Sequence, residues 1–364
     1  MVAESPTVAG ADLRLGAKSR SMRAQTVFTC ALFILSGACG LAYEVVWTRY
    51  LGLFLGNTVL LHMAVLGAFM GGLAGGSFLL GRRADRVKSP LAMYGWLELA
   101  IAGYAILFPS LAGWAQGWVV DVTRALPLGS PGTVAFKVFL AAALLVVPTL
   151  LMGATFPALT AHLHRSAAAG ATGANWLYFA NCAGAVAGTL ITGFFLIPDL
   201  GLSGTALGVA ILNTIIGGVA VMVARSDLGA APRRKSAGAA PPVVGSTYRK
   251  LVLAAICLSG ATAFIYEMVW TRIFAVTLGS STYSFTLMLA AFITGLALGS
   301  VAANLLPGLR KAPLTYLAGA EILIGLGVAF SIPVYERLPY FFWIWKWLLR
   351  PVEETLPAYH LFQY

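Results

Sequence analysis

Charged residues are scarce in this sequence, making up 10% of its 364 positions against 59% for apolar ones. Water-soluble domains carry about a quarter charged residues, so the shortage excludes a disordered chain, a coiled coil and an ordinary soluble enzyme. Cysteine is scarcer still. Cys30, Cys39, Cys182 and Cys257 all lie in apolar segments without C-x-x-C spacing, and read as small hydrophobes rather than metal or redox groups. The four histidines form no ligand cluster, and His162 and His164 are expected in a solvated basic loop. These residues predict no metal site. What the chain has in quantity is apolar length, with a mean hydropathy of +0.84. Runs of about twenty residues, enough to cross roughly 30 Å of hydrocarbon, recur from Val27 almost to the end. The expected fold class is all-α, a polytopic transmembrane helix bundle.

Nine spans are predicted, at 27–46, 59–80, 91–111, 134–159, 176–197, 202–224, 251–270, 283–306 and 314–334. The short aromatic segment 338–349 is expected to be a truncated tenth span or an interfacial helix. The domain division follows: a basic leader at 1–26, a first six-helix repeat at 27–224, a linker at 225–250 and an incomplete second repeat at 251–364. A net charge of +11 in a soluble protein would point to nucleic acid. Here its placement points to the bilayer. With the N-terminus in the cytoplasm, 17 of the 24 Lys and Arg fall on the inner side, among them Arg82, Arg83, Arg86, Lys88 and Arg165. The positive-inside rule therefore gives a cytoplasmic N-terminus, a lipid partner and no nucleic acid.

Shifted by 223 residues, the sequence matches itself. Ser36–Gly37–Ala38 faces Ser259–Gly260–Ala261, Tyr43–Glu44 faces Tyr266–Glu267, and Trp47–Thr48–Arg49 faces Trp270–Thr271–Arg272; Glu98 faces Glu321. The window 36–49 holds nine identities in fourteen positions, which marks a duplication. One period contains six spans, so both copies point the same way, as parallel repeats related by an axis along the membrane normal. A complete second copy would reach position 447, and Tyr364 lies 83 residues short of it, so a fragment or a shortened second bundle is expected.

Small residues form the clearest packing signal. Ala68, Gly72 and Gly76 recur as Ala291, Gly295 and Gly299, four apart on one face, and Gly184 and Gly188 repeat the spacing in the fifth span. Such seams let helix backbones approach closely in lipid, where hydrophobic burial cannot drive association. Glu44 and Glu267 are the sharper candidates, because an intramembrane carboxylate costs a few kcal/mol or more unless protonated or paired. They read either as structural clamps or as proton- or cation-binding groups facing a cavity, with Tyr43 and Tyr266 as hydrogen-bonding neighbours. Counted at 1.5 Å per residue from Val27, Glu44 stands roughly 25 Å up, with Arg49 and Arg272 at the outer interface and Trp47 and Trp270 as belt aromatics. Glu98 and Glu321 lie nearer the inner side, with Arg82 or Arg83 as partner for the first and Arg310 or Lys311 for the second. Asn175, Tyr178 and Asn181 line a cavity or bridge helices, the bridge being favoured. Pro148 and Pro157 mark the fourth span as the bent one.

Two resemblances complete the reading. Gly81–Arg82–Arg83–Ala84–Asp85–Arg86 resembles the G-x-x-x-D-R loop of the major facilitator superfamily, whose six-plus-six parallel spans suit the duplication, so the expected architecture is major-facilitator-like. From residue 27 onward, the chain more closely resembles the membrane module of fused facilitator/spermidine-synthase-like bacterial proteins. The segments 35–38, 43–49, 68–77 and 152–157 carry that likeness. The resemblance implies a bacterial inner-membrane protein linked to polyamines, with a polyamine or small organic cation as ligand. In that family a Rossmann-type aminopropyltransferase-like domain follows, binding decarboxylated S-adenosylmethionine at a Gly-rich loop. Neither that loop nor its acidic residues occur here, so no catalytic or cofactor-binding residue carries over. The expected function is a membrane module without the catalytic part; the rivals are a proton-coupled facilitator-type transporter and a non-catalytic anchor or scaffold. If the duplication is real, cysteines at positions 40 and 263 will label from the same face of the bilayer, and labelling from opposite faces would refute it.

Overall fold

The computed structural model describes residues 8–56, 59–125, 130–165, 171–226, 246–278, 281–306 and 313–348, nearly all of them helical and none in a strand. In order they are α1 (Val8–Leu55), α2 (Val59–Ala84), α3 (Pro90–Ala125), α4 (Pro131–Arg165), α5 (Ala171–Ile191), a π-helical turn (Thr192–Leu196), α6 (Ile197–Arg225), α7 (Ser246–Leu278), α8 (Ser281–Leu305) and α9 (Pro313–Leu348). By length and composition, eight helices among the described residues are apolar enough to cross a membrane, so the protein is an all-α polytopic bundle. The greater part of the expected linker, 227–245, and the basic pair Arg310 and Lys311 lie outside the described residues.

Local sequence explains the helix starts. Ser89 accepts the Ala92 N–H at 3.2 Å ahead of Pro90, and Ser130 accepts the Thr133 N–H at 3.3 Å ahead of Pro131. Each is a capping hydroxyl followed by a proline whose missing N–H costs nothing in the first turn. Within the apolar helices, Thr48, Thr149 and Thr189 return their hydroxyl protons to carbonyls four residues back, at 2.7, 2.7 and 2.8 Å.

The longest apolar stretch, Gly173–Arg225, has 53 residues, about twice what a bilayer needs. It contains two legs running in opposite directions. Gly184 lies against the Ile34 carbonyl and Gly188 against that of Ala38, so α5 runs parallel to α1. Tyr50 meets Ser203 and Cys39 meets the Val209 carbonyl, so α6 runs antiparallel to it. The reversal is made by the π-turn and by Gly201, whose φ of 68° is open to glycine at no steric cost. The fifth and sixth spans are thus separate legs, as the sequence predicts.

Pro148 and Pro157, which mark the fourth span as the bent one by sequence, lie inside one continuous helix, α4. The segment after 338 is also no separate element, because α9 continues through Pro333 and Pro339 as far as Leu348. α1 extends beyond the predicted 27–46 at both ends. Glu44 therefore lies roughly 16 Å from the helix end at Leu55. Trp47 is correspondingly no belt residue. It is fully buried, stacked on Tyr43 at 5.1 Å and on Phe108 at 5.1 Å. His162 is buried in the last turn of α4 rather than solvated, whereas His164 is exposed; Cys257, grouped with the buried cysteines by sequence, faces outward.

Glycine seams hold the first half together. Gly72 rests on Thr149, Gly76 on the Leu150 carbonyl and Gly153 on the Leu73 carbonyl, locking α2 to α4 with no room for a methyl group. Gly184 and Gly188 do the same for α1 and α5, and Gly95 and Gly217 for α3 and α6. The duplicated seam behaves differently. Gly295 and Gly299 have nothing within reach of an added Cβ, and Ala291 is exposed. Ala291 and Gly295 line an apolar cavity of about 640 Å³ with Trp270, Phe292 and Tyr335. The correction has a simple cause: no helix equivalent to α4 packs there among the described residues. The halves meet where α5 lies on α8, through Val45, Cys182, Ala185, Phe285, Leu289 and Ile293. Asn175 donates to Asn304 across this seam at 2.8 Å.

This asymmetry sets a test. Gly76→Leu forces two backbones apart and should cost several kcal/mol, since overpacking alone costs about 1–3. Gly299→Leu should leave the melting temperature in detergent within about 2 °C of the parent, because surface changes stay near ±0.5 kcal/mol. Equal losses from both would contradict the open second seam.

Candidate functional site

All six helices of the first half line a cavity of about 270 Å³. Glu98, two turns into α3, presents the buried carboxyl of this site and is only 1% exposed. The sequence paired it with Arg82 or Arg83, but both arginines are exposed at the end of α2, Arg82 lying 4.6 Å over the Phe78 ring. Its actual partner is Ser36 on α1, whose hydroxyl donates to Glu98 Oε1 at 2.6 Å. Behind it, Asn213 on α6 donates to the Glu98 carbonyl oxygen at 2.8 Å, and Tyr94, one turn earlier, donates to the Leu32 carbonyl at 3.3 Å. Three helices are thereby fixed around one acidic side chain. A buried carboxyl needs such partners because an unsatisfied one costs about 1–3 kcal/mol or more.

Aromatic faces form the opposing wall. Phe33 stacks on Phe156 at 6.0 Å, Phe156 meets Tyr178 edge-on at 6.1 Å, and Phe69 closes the α2 side. Asn181 and Tyr178 on α5 and Tyr43 on α1 add polar atoms. The glycine seam shapes the space: Gly37 and Gly153 line it while their backbones touch neighbouring helices.

Of the residues singled out by sequence, Glu98, Tyr43, Tyr178 and Asn181 come together in this cavity. Asn175 does not, being engaged with Asn304 across the seam. Glu44 and Glu267 lie elsewhere, both buried, at 1% and 2% exposure. Arg49 is half-buried within electrostatic range of Tyr283, Arg272 is exposed, and Tyr266 stacks on Trp270 at 6.3 Å.

The second half repeats the central contact. Ser259 donates to Glu321 Oε1, the same atoms and the same 62-residue separation as in Ser36 and Glu98. Arg310 and Lys311, proposed partners of Glu321, lie outside the described residues. Thr48 and Thr271 likewise both bond the carbonyl of their preceding glutamate, Glu44 or Glu267, at 2.7 and 2.8 Å. Sequence reasoning missed Ser36 and Asn213 as site residues. A signal existed for each: the serine and its acid are conserved between the copies as a pair, and Asn213 is the only amide in the sixth span. The aromatic wall carried no such mark, since Phe33, Phe69 and Phe156 are three of 20 phenylalanines.

Chemically, the described residues lining the cavity offer one carboxyl, two amides, hydroxyls and three phenyl rings, with no lysine or arginine among them. It can accept hydrogen bonds from a cation and stack rings on it; it has nothing to balance an anion. Ser36→Ala should lower stability by about 1–3 kcal/mol by leaving a buried carboxyl oxygen unsatisfied. Ser259→Ala, at the half-exposed Glu321, should cost less than half as much. Paired thermal melts check the order, and a larger loss at Ser259 would contradict it.

No protein-family model, no curated protein and no solved structure matches the chain.

Proposed function

We propose that the chain is an integral membrane module that holds a small organic cation, a polyamine or another protonated amine, in the cavity around Glu98. One observation carries this reading: six helices converge on a space whose buried charge is acidic and whose walls are aromatic. An ammonium group complements it twice, by charge-assisted hydrogen bonds to carboxyl and amide oxygens and by attraction to ring faces. The volume of about 270 Å³ sits just below the usual range for drug-sized ligands, which suits a slender amine.

The likeness to spermidine-synthase-like fusion proteins, carried by sequence alone, is the source of the polyamine in this reading. Ser36, Gly37, Tyr43, Met152, Gly153 and Phe156, all within the segments that carry the likeness, line the cavity. No aminopropyl transfer is assigned to this chain. The bacterial inner membrane is what the resemblance implies, and a cytoplasmic N-terminus is supported by the basic end of the bundle. There Arg165 donates to the carbonyls of Ala84, Asp85, Val87 and Lys88, gathering Arg82, Arg83, Arg86, Lys88 and Arg165 on one side.

A second reading, a facilitator-type carrier, is favoured by the direct contact of α5 with α8, which joins the duplicated halves as two bodies could rock. A scaffold reading draws only on the glycine seams. Titration calorimetry with spermidine in lipid nanodiscs separates them. The cavity reading expects saturable binding, weakened at least 10-fold by Glu98→Gln, since a charge-assisted bond contributes about 1.5–3 kcal/mol. Glu321→Gln should leave it unchanged. No binding by the unaltered protein would favour the scaffold, and uphill uptake into proteoliposomes would favour the carrier.

A further inference from the structure

The apolar cavity of about 640 Å³ in the second half is walled by α7, α8 and α9. Trp270 and Phe274 on α7 are only half-buried there, and Gly295 on α8 leaves open space. Their counterparts 223 residues earlier show what such walls hold when complete. Trp47 and Leu51 are fully buried in one core with Leu140 and Ala141 of α4, and Gly72 rests on Thr149 of the same helix. The walls that seat α4 in the first half are thus repeated, unfilled by any described helix, in the second.

The entry of α4 into its seat carries a specific polar contact. Lys137, in the second turn of α4, donates from Nζ to the Leu55 carbonyl at 3.0 Å, and Phe136 beside it packs against the core. Leu55 is the last residue of α1, where the final four carbonyls have no partner within the helix and a cation complements the helix dipole. Leu278, the last residue of α7, stands 223 residues after Leu55.

The same shift carries the entry of α4 to residues 354–364, which lie outside the described residues. Residues 135–139 read Ala-Phe-Lys-Val-Phe, and residues 358–362 read Ala-Tyr-His-Leu-Phe. Two of the five are identical, and the other three keep an aromatic, a basic and an aliphatic side chain in the same order. His360 falls at the position of Lys137, and Tyr359 at that of Phe136. A second copy of the chain fits the groove less well. A two-fold contact sets a surface against itself, and two concave grooves face to face leave a void between them.

We infer that residues 358–362 dock in the α7–α8–α9 groove at its Leu278 end, as the first turns of α4 dock in the first half. A ring nitrogen of His360 donates to the Leu278 carbonyl oxygen in the place of Lys137. The groove binds a segment of its own chain and is separate from the Glu98 cavity, so either reading can fail without the other.

Double electron–electron resonance on the full chain in nanodiscs, in a background without native cysteines, tests this against an internal ruler. Spin labels at 53 and 138 report the entry of α4, and labels at 276 and 361 stand at the repeat-equivalent positions; Leu53, Val138 and Val276 are exposed, so labels there disturb little. The two distance distributions should coincide and survive dilution with unlabelled protein. A broad distribution for 276 and 361, or a peak displaced by more than about one helical turn of 5.4 Å, would overturn the inference. Loss of the signal on dilution would overturn it in favour of a second copy. Thermal melts stand beside this. His360→Ala should lower the melting temperature by about 2–4 °C, and His360→Lys, which installs the residue of the first half, should leave it unchanged. No loss with alanine, or an equal loss with lysine, would likewise overturn it.

Discussion

In lipid, helices gain nothing by hiding apolar surface from one another, so they hold together where their backbones come close enough for dispersion and polar contacts to act. In this protein that approach is made by glycines: Gly72 and Gly76 on α4, Gly184 and Gly188 on α1, Gly95 facing Gly217. Everything else in the first half depends on it. The spacing those contacts impose brings Ser36, Glu98 and Asn213 into hydrogen-bond range across three helices. The same spacing leaves a gap at the centre that Phe33, Phe69 and Phe156 line without filling.

The two halves show what happens when the constraint is met and when it is not. They share the Ser–Glu bond and the stacked Tyr–Trp pair at equivalent positions. In the first half Trp47 is fully buried against Phe108, and Glu98 is sealed. In the second, Trp270 is half-exposed, Glu321 is half-exposed, and the glycine face of α8 looks onto open space. Local pairings therefore survive without the seam, because each needs only two helices. The cavity around Glu98 draws its lining from six.

The polar groups divide by the same logic. Hydroxyls of Thr48, Thr149 and Thr189 are satisfied within their own helix, and contribute shape and little else. Glu98 is satisfied by neighbouring helices and organises them. Both carboxyl oxygens of Glu44 and Oε1 of Glu267 are satisfied by neither.

Apolar run length and the duplication determined the helical class, the position of nearly every span and the pairing of residues 223 apart, because those depend on composition and on comparison of the chain with itself. The reversal near Gly201 was legible for the same reason, since a break in hydropathy and a glycine coincide there. Which side chains share a space was not legible. Arg82 or Arg83 stood as the partner of Glu98, and Ser36 went unmarked, because helix rotation is not written in the sequence; it is set by where glycine faces meet. Tertiary structure alone placed Tyr178 and Asn181 in the cavity and turned Asn175 toward α8, although all three share one helix. A step of three residues turns a side chain about 60° around the helix and a step of six about 120°, and which of those directions meets a cavity or a seam is decided by the neighbouring helices.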